Sequence, residues 1–236
     1  MNLTSMLEPP RRAVLTTSVT LGFAVGVFAL LFGVGAVAAG ASTWQACALS
    51  LLAFTGASQF SAVAVIASGG SVASALGGAL LLAARNGVFG LTMSKTITGN
   101  LATRLVAAQL TLDESTAMAT SQDEPELRRL AFWATGLSVY VFWNLGTLIG
   151  ALAGSAIDPT KYGLDAAIPS AFVAMLWPHL RTTNGRRAAA IGAILCLLTT
   201  PFLPVGLPIL VAATAIFIGV PGPRAAPRHH APSVPT

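Results

Sequence analysis

Long apolar stretches broken by short polar clusters make up most of this chain. A helix crossing a bilayer needs about 20 predominantly apolar residues. The pattern predicts seven such spans: Ala13–Ala39, Trp44–Ser68, Ser71–Ser94, Leu130–Ala153, Leu164–Trp177, Ala188–Leu203 and Val205–Val220. Gly40–Thr43 and Gly69-Gly70 separate the first three. A hydrophilic connection, Lys95–Arg129, follows the third and carries a partial stripe of Ile97, Leu101, Leu105 and Leu112 at near-helical spacing. Part of it is therefore expected at the interface or inside the bundle. The fifth span is the weakest, stopped by Pro178 and the polar run His179–Arg187. The expected organisation is an N-terminal segment over 1–12, a membrane domain over 13–220 and a disordered Pro-rich tail over 221–236. The fold class is an all-α integral membrane bundle of about seven transmembrane helices.

Two polar clusters interrupt the segment Phe54–Ser94: Ser58-Gln59, and Arg85-Asn86 with its one full charge. An ionisable residue within apolar spans marks a functional site by default. Ser58 and Gln59 lie between Gly56 and Phe60, where small residues permit a helix to unwind beside a cavity. The competing reading is an interhelical hydrogen bond from Gln59 to a neighbour such as Asn144. The Arg85 guanidinium is a planar fork matched to a carboxylate. Asp113 and Glu114 lie beyond in the connection. These charges suit the two ends of a zwitterion and suit each other equally well, and Arg85 can also snorkel to the interface. Trp143 and Asn144 open a glycine face, Gly146/Gly150/Gly154, whose four-residue spacing suits close packing in lipid.

Composition agrees with a lipid environment. The chain is 54% hydrophobic and 9% charged, against roughly 25% charged in ordinary soluble domains. No basic stretch is interleaved with aromatics as nucleic-acid binding would require. Cys47 and Cys196 lie in apolar runs and read as small core residues. HExxH, CxxC, GxSxG and GxxxxGK[ST] are all missing from the sequence. Neither an enzyme nor a cofactor or metal is expected. With seven spans, Arg11, Arg12 and Lys161 fall on one side, and Lys95, Arg104, Arg128, Arg129, Arg181, Arg186, Arg187, Arg224 and Arg228 on the other. The positive-inside rule then puts the N-terminus outside. A faint echo between Gly56–Ile66 and Ile168–Pro178 suggests an inverted three-helix repeat plus one extra helix.

GASQF (Gly56–Phe60), ARNGVFGLTMS (Ala84–Ser94), LTLDESTAMA (Leu110–Ala119), FWNLGTLIGALAG (Phe142–Gly154) and YGLDAAIPSAFVAMLWPHL (Tyr162–Leu180) follow one another in the order and spacing of the AzlC family. The chain resembles that family, the large permease subunit of branched-chain amino acid exporters, over roughly 13–220. The resemblance implies a multi-pass permease of the bacterial cytoplasmic (inner) membrane. It would export leucine, isoleucine, valine and methionine, driven by the membrane potential or a proton gradient. It also implies a small membrane subunit of AzlD type as partner. Two departures stand out: Ala83 and Asn86 flank Arg85 where the family often has Asn or Asp, and His, and LTLDES replaces the commoner LTDE form. The candidate substrate residues are Gly56, Ser58, Gln59, Phe60, Arg85, Asn86, Asp113, Glu114 and Asn144. The competing function is a non-transporting structural or assembly subunit, whose polar groups only bind helices together.

Overall fold

The computed structural model describes residues 9–156, 161 and 166–215, and the regular elements among them are all helical. They are α1 (Pro9–Ala38), α2 (Thr43–Leu52), α3 (Ala57–Ala67), α4 (Val72–Met93), α5 (Leu101–Gln109), α6 (Asp113–Thr120), α7 (Pro125–Ala156), α8 (Ala167–Leu176), a 3-10 turn (His179–Arg181), α9 (Thr183–Thr199) and α10 (Leu207–Ala213). Among the described residues, α1, α4 and α7 have the length and apolar composition to cross a membrane. The expected tail over 221–236, the first eight residues and the YGLD portion of the family motif lie outside the described residues.

Helices α1 and α7 pack backbone to backbone. Gly22 lies opposite Ser138, Gly26 opposite Phe142, Gly150 opposite Leu30 and Gly154 opposite Val34. The numbers rise together, so the two helices run parallel. A Cβ on Gly22 would stand 2.7 Å from the Ser138 carbonyl carbon, and Gly146 and Gly150 press still closer on the carbonyls of Gly26 and Leu30. The glycine triple is thus a packing face: lipid supplies no hydrophobic drive, so close approach supplies the dispersion. Two buried hydroxyl contacts reinforce this core, Ser18 Oγ to Thr135 Oγ1 at 2.8 Å and Ser50 Oγ to Thr147 Oγ1 at 3.1 Å. Arg11 pairs with Glu126, so α1 and α7 start at the same end of the bundle; this is called the near end below.

The expected span Trp44–Ser68 is two half-helices. Ala53 leaves helical geometry, and Gly56 takes φ 63, a backbone region that glycine enters without a Cβ clash. The chain then turns back. Gln59 Nε2 donates to the Leu49 carbonyl across the bend, and Ile66 shares a cavity wall with Gln45 and Gly40. A straight helix would hold Gln45 and Ile66 about 30 Å apart. Helices α2 and α3 therefore form a re-entrant hairpin that enters from the far end, bends near the middle and returns. Helix α4 runs against α3, with Gly78 beside Ser61, and leads back toward the near end.

The connection after α4 behaves in the mirrored way. It leaves at Met93, reaches Leu110 packed on Gly136 of α7, and returns through α6 to Pro125 at the near end. Ile97, Ala107, Leu110, Leu112 and Ala119 are buried in the core with Met93 and Phe132. Of the sequence stripe, Ile97 and Leu112 face inward while Leu101 and Leu105 are exposed. This second hairpin, α5–α6, enters from the opposite end to the first.

Three expectations change as a result. Seven continuous spans are not present among the described residues: 44–68 dips and returns, and α8, α9 and α10 hold 10, 17 and 7 residues. The echo between Gly56–Ile66 and Ile168–Pro178 does not relate inverted units, because inversion would make α1 and α7 antiparallel and they run parallel. The charge grouping also changes. With 44–68 returning to its own side, Arg11 and Arg12 join Lys95, Arg104, Arg128 and Arg129 at the near end. Gly206 packs on Ser74 at the far end, so α9, which runs up toward it, starts with Arg186 and Arg187 toward the near end as well.

Candidate functional site

The two hairpin tips face each other across a cavity of about 180 Å³ beside α4. The first tip contributes Phe54, Thr55, Gly56, Ala57 and Phe60, and the second contributes Leu112, Asp113 and Glu114. Arg85 reaches in from α4, Val25 and Phe28 from α1, and Val139 and Trp143 from α7.

Arg85 Nη1 donates to Asp113 Oδ2 at 2.7 Å, with the side chains 37% and 45% exposed. Both charges therefore keep access to the cavity while neutralising one another. Glu114 lies next to this pair in the same wall. Asp113 and Glu114 form the first turn of α6, where unpaired backbone N–H groups favour negative charge. Helix α3 also starts at the cavity, and its first turn carries no acid. One tip thus brings its own carboxylates, and the other brings a helix N-terminus without any.

Bending a helix inside a bundle strands carbonyls at the break, and each must find a donor. Here side chains from α5 and α7 supply them. Gln109 Nε2 donates to Leu51 O at 2.9 Å and Tyr140 Oη to Leu51 O at 3.3 Å, while Gln59 Nε2 adds a second donor, at 3.1 Å, to Leu49 O, which keeps the Ala53 N–H. Gln59 Oε1 also accepts from the Gly56 N–H at 3.1 Å. At the second tip, Ser115 Oγ accepts from the Leu112 N–H at 3.0 Å and donates to Leu110 O at 2.7 Å. Ser58 Oγ hydrogen-bonds Thr55 Oγ1.

Of the nine sequence candidates, Gly56, Phe60, Arg85, Asp113 and Glu114 line the cavity. Ser58 and Gln59 sit directly behind the first tip, with Gln59 1% exposed as the brace of the bend. Asn86 and Asn144 are outside the cavity wall; Asn144 Nδ2 donates to Tyr140 O at 2.8 Å instead of reaching Gln59. Sequence reasoning passed over Gln109 and Tyr140, for which no local signal exists, and Thr55, which adjoins the flagged Gly56. Trp143, only a lesser candidate in sequence, closes the cavity. It packs with Phe60 and Phe32, and its indole N–H is buried with no partner among the described residues. No cluster of three metal-ligating side chains occurs among the described residues.

The long apolar helices, enclosing an apolar-walled cavity that holds an ion pair, define an all-α membrane protein. The chain belongs to the AzlC family: the family described as AzlC protein matches residues 20–157, which hold both hairpins and every residue lining the cavity. A Helicobacter pylori (strain ATCC 700392 / 26695) protein described as an uncharacterized membrane protein is 24% identical over 210 residues, covering 86% of this chain and 91% of that protein. No solved structure matches.

Proposed function

We propose that the protein is a carrier exporting branched-chain and other apolar amino acids across the bacterial cytoplasmic membrane as a multi-pass permease. The observation that carries this is the Arg85–Asp113 ion pair standing in a mid-bundle cavity between two hairpin tips. A zwitterion fits that arrangement. Its carboxylate replaces Asp113 on the Arg85 fork, its ammonium meets the freed Asp113 and Glu114, and its apolar side chain lies on Phe60, Val139 and Trp143. Binding adds no net charge, because each end of the neutral zwitterion takes over one half of an existing pair. The basic near end favours a cytoplasmic N-terminus by the positive-inside rule. A small AzlD-type membrane subunit is the proposed partner, and the role is transport rather than catalysis.

The test is leucine efflux from cells preloaded with a leucine-containing dipeptide, with and without the gene pair. Faster efflux with the pair supports the proposal, and unchanged efflux across leucine, isoleucine, valine and methionine refutes it.

A further inference from the structure

We propose that α1–α3 and α4–α6 are inverted copies of one unit, and that each hairpin gates the central cavity toward one face of the membrane. Each unit is a long helix followed by two half-helices, of 30, 10 and 11 residues in the first and 22, 9 and 8 in the second. The tips match in detail. The Gly56 N–H bonds Gln59 Oε1, and the Leu112 N–H bonds Ser115 Oγ. The same offset of 56 positions relates both pairs (112 − 56 and 115 − 59). At that offset Thr55 falls on Thr111 and Ala57, the start of α3, on Asp113, the start of α6. Helices α1 and α4 run in opposite directions, so the units are related by inversion, the arrangement from which carriers build alternating access.

A second cavity lies beside each hairpin, toward that hairpin's own end of the bundle. The far-end cavity, about 340 Å³, lies between the arms of α2–α3 against Gly40, Leu49, Ala62 and Ile66. The near-end cavity, about 500 Å³, lies between the end of α4 and α5 against Ser94, Thr98, Arg104 and Thr111. Thr111 borders the near-end cavity and Leu112 the central one, so a single residue step separates them at the second tip. The near-end cavity has hydroxyls and a guanidinium where the far-end one is largely apolar. Resting on the export reading above, the near-end cavity is the cytoplasmic loading site, and Arg104 receives the substrate carboxylate there. A charged fork at the mouth concentrates carboxylates ahead of the tip.

The test uses the full chain with its small partner subunit, in a background carrying Cys47→Ala and Cys196→Ala. Thr98→Cys and Ala62→Cys are introduced singly and exposed to a membrane-impermeant maleimide in inside-out vesicles and in spheroplasts, with detergent-denatured samples as labelling controls. Labelling of Thr98→Cys only in inside-out vesicles and of Ala62→Cys only in spheroplasts is expected. Labelling of both from one face, or of neither before denaturation, overturns the two gates. Arg104→Ala should raise the KM for efflux about fivefold, as loss of one exposed charge contact would, at unchanged maximal rate. Arg104→Lys should keep most of the affinity. An unchanged KM in Arg104→Ala overturns the loading role. Absence of efflux from the parent protein strikes the substrate reading alone, since the maleimide pattern needs no substrate.

Discussion

Exchanging the two charges of the central ion pair, Arg85→Asp with Asp113→Arg, separates a substrate site from a structural brace. The pair lies 2.7 Å apart with both partners partly exposed. Attraction between unit charges at such range is on the order of 4 kcal/mol at an effective dielectric near 20. Desolvation and side-chain ordering offset most of it, leaving a net coupling of about 1–2 kcal/mol. Arg85→Ala removes that coupling and leaves Asp113 beside Glu114 with no cation, so the thermal midpoint should fall about 2–8 °C. The exchanged pair restores the attraction and most of the midpoint. Recovery stays incomplete, because an arginine at the start of α6 opposes the helix dipole by about 0.5 kcal/mol.

Efflux should behave differently. A substrate carboxylate bonded to Arg85 within the cavity contributes roughly 2–5 kcal/mol when its partner is deleted, so Arg85→Ala lowers subsaturating leucine efflux at least about thirtyfold. The exchanged protein presents its guanidinium from the α6 tip and its carboxylate from α4, reversing both ends of the zwitterion site. It should be as stable as a single mutant or better, yet as inactive as Arg85→Ala. The assay pairs thermal unfolding of the purified two-subunit complex with efflux from matched membranes. If the exchange restores stability and transport together, the ion pair is a brace and the zwitterion site does not exist.

At the α1–α7 contact, Gly150→Val drives a side chain into the Leu30 carbonyl, where neither backbone can yield, and should cost about 1–3 kcal/mol or more of stability by thermal unfolding. Gly90→Ala on α4, where a Cβ meets nothing within 4 Å, should stabilise by up to about 1 kcal/mol in the same measurement. Gln59→Leu keeps the volume but leaves the Gly56 N–H without its acceptor and strips the Leu49 carbonyl of one of its two donors, the Ala53 N–H remaining. A loss of about 1–3 kcal/mol should appear as faster proteolysis near the first tip.

Much of the helical content was legible because lipid imposes one rule on long segments: apolar side chains and a self-satisfied backbone. The long helices follow from it, and the glycine triple on α7 announces close packing through spacing alone. Re-entrance is invisible to the same reading. A window of apolar residues averages to the same value whether the helix crosses or bends halfway and returns, so 44–68 reads as one span. The local clue was Gly56 with polar Thr55, Ser58 and Gln59 around it, and the partial stripe of 97–112 was its counterpart in the second hairpin. Neither shows the direction of return, because that depends on arrangements such as the Gln59 bond to Leu49 and the cavity wall shared by Ile66 and Gln45, which form only in the folded bundle.

The site was legible in its charges and illegible in its supports. Arg85 and Asp113 stand out because a charge among apolar neighbours is costly and needs a reason. Gln109 and Tyr140 look ordinary, and become necessary only once α2 ends mid-bundle and its last carbonyls need donors. The charge count behind the expected N-outside orientation changed through the same feature. Counting 44–68 as a crossing makes three between Arg11 and Lys95, an odd number that separates them; the structure has two, α1 and α4, which reunites them. One bend therefore moves Arg11 and Arg12 to the side of Lys95, Arg104, Arg128 and Arg129 and, in the same act, opens the backbone at Gly56 beside Arg85. Local rules failed at 53–56 because the helix there gives up its own hydrogen bonds to wall a cavity, and such failures are expected to concentrate where a protein works.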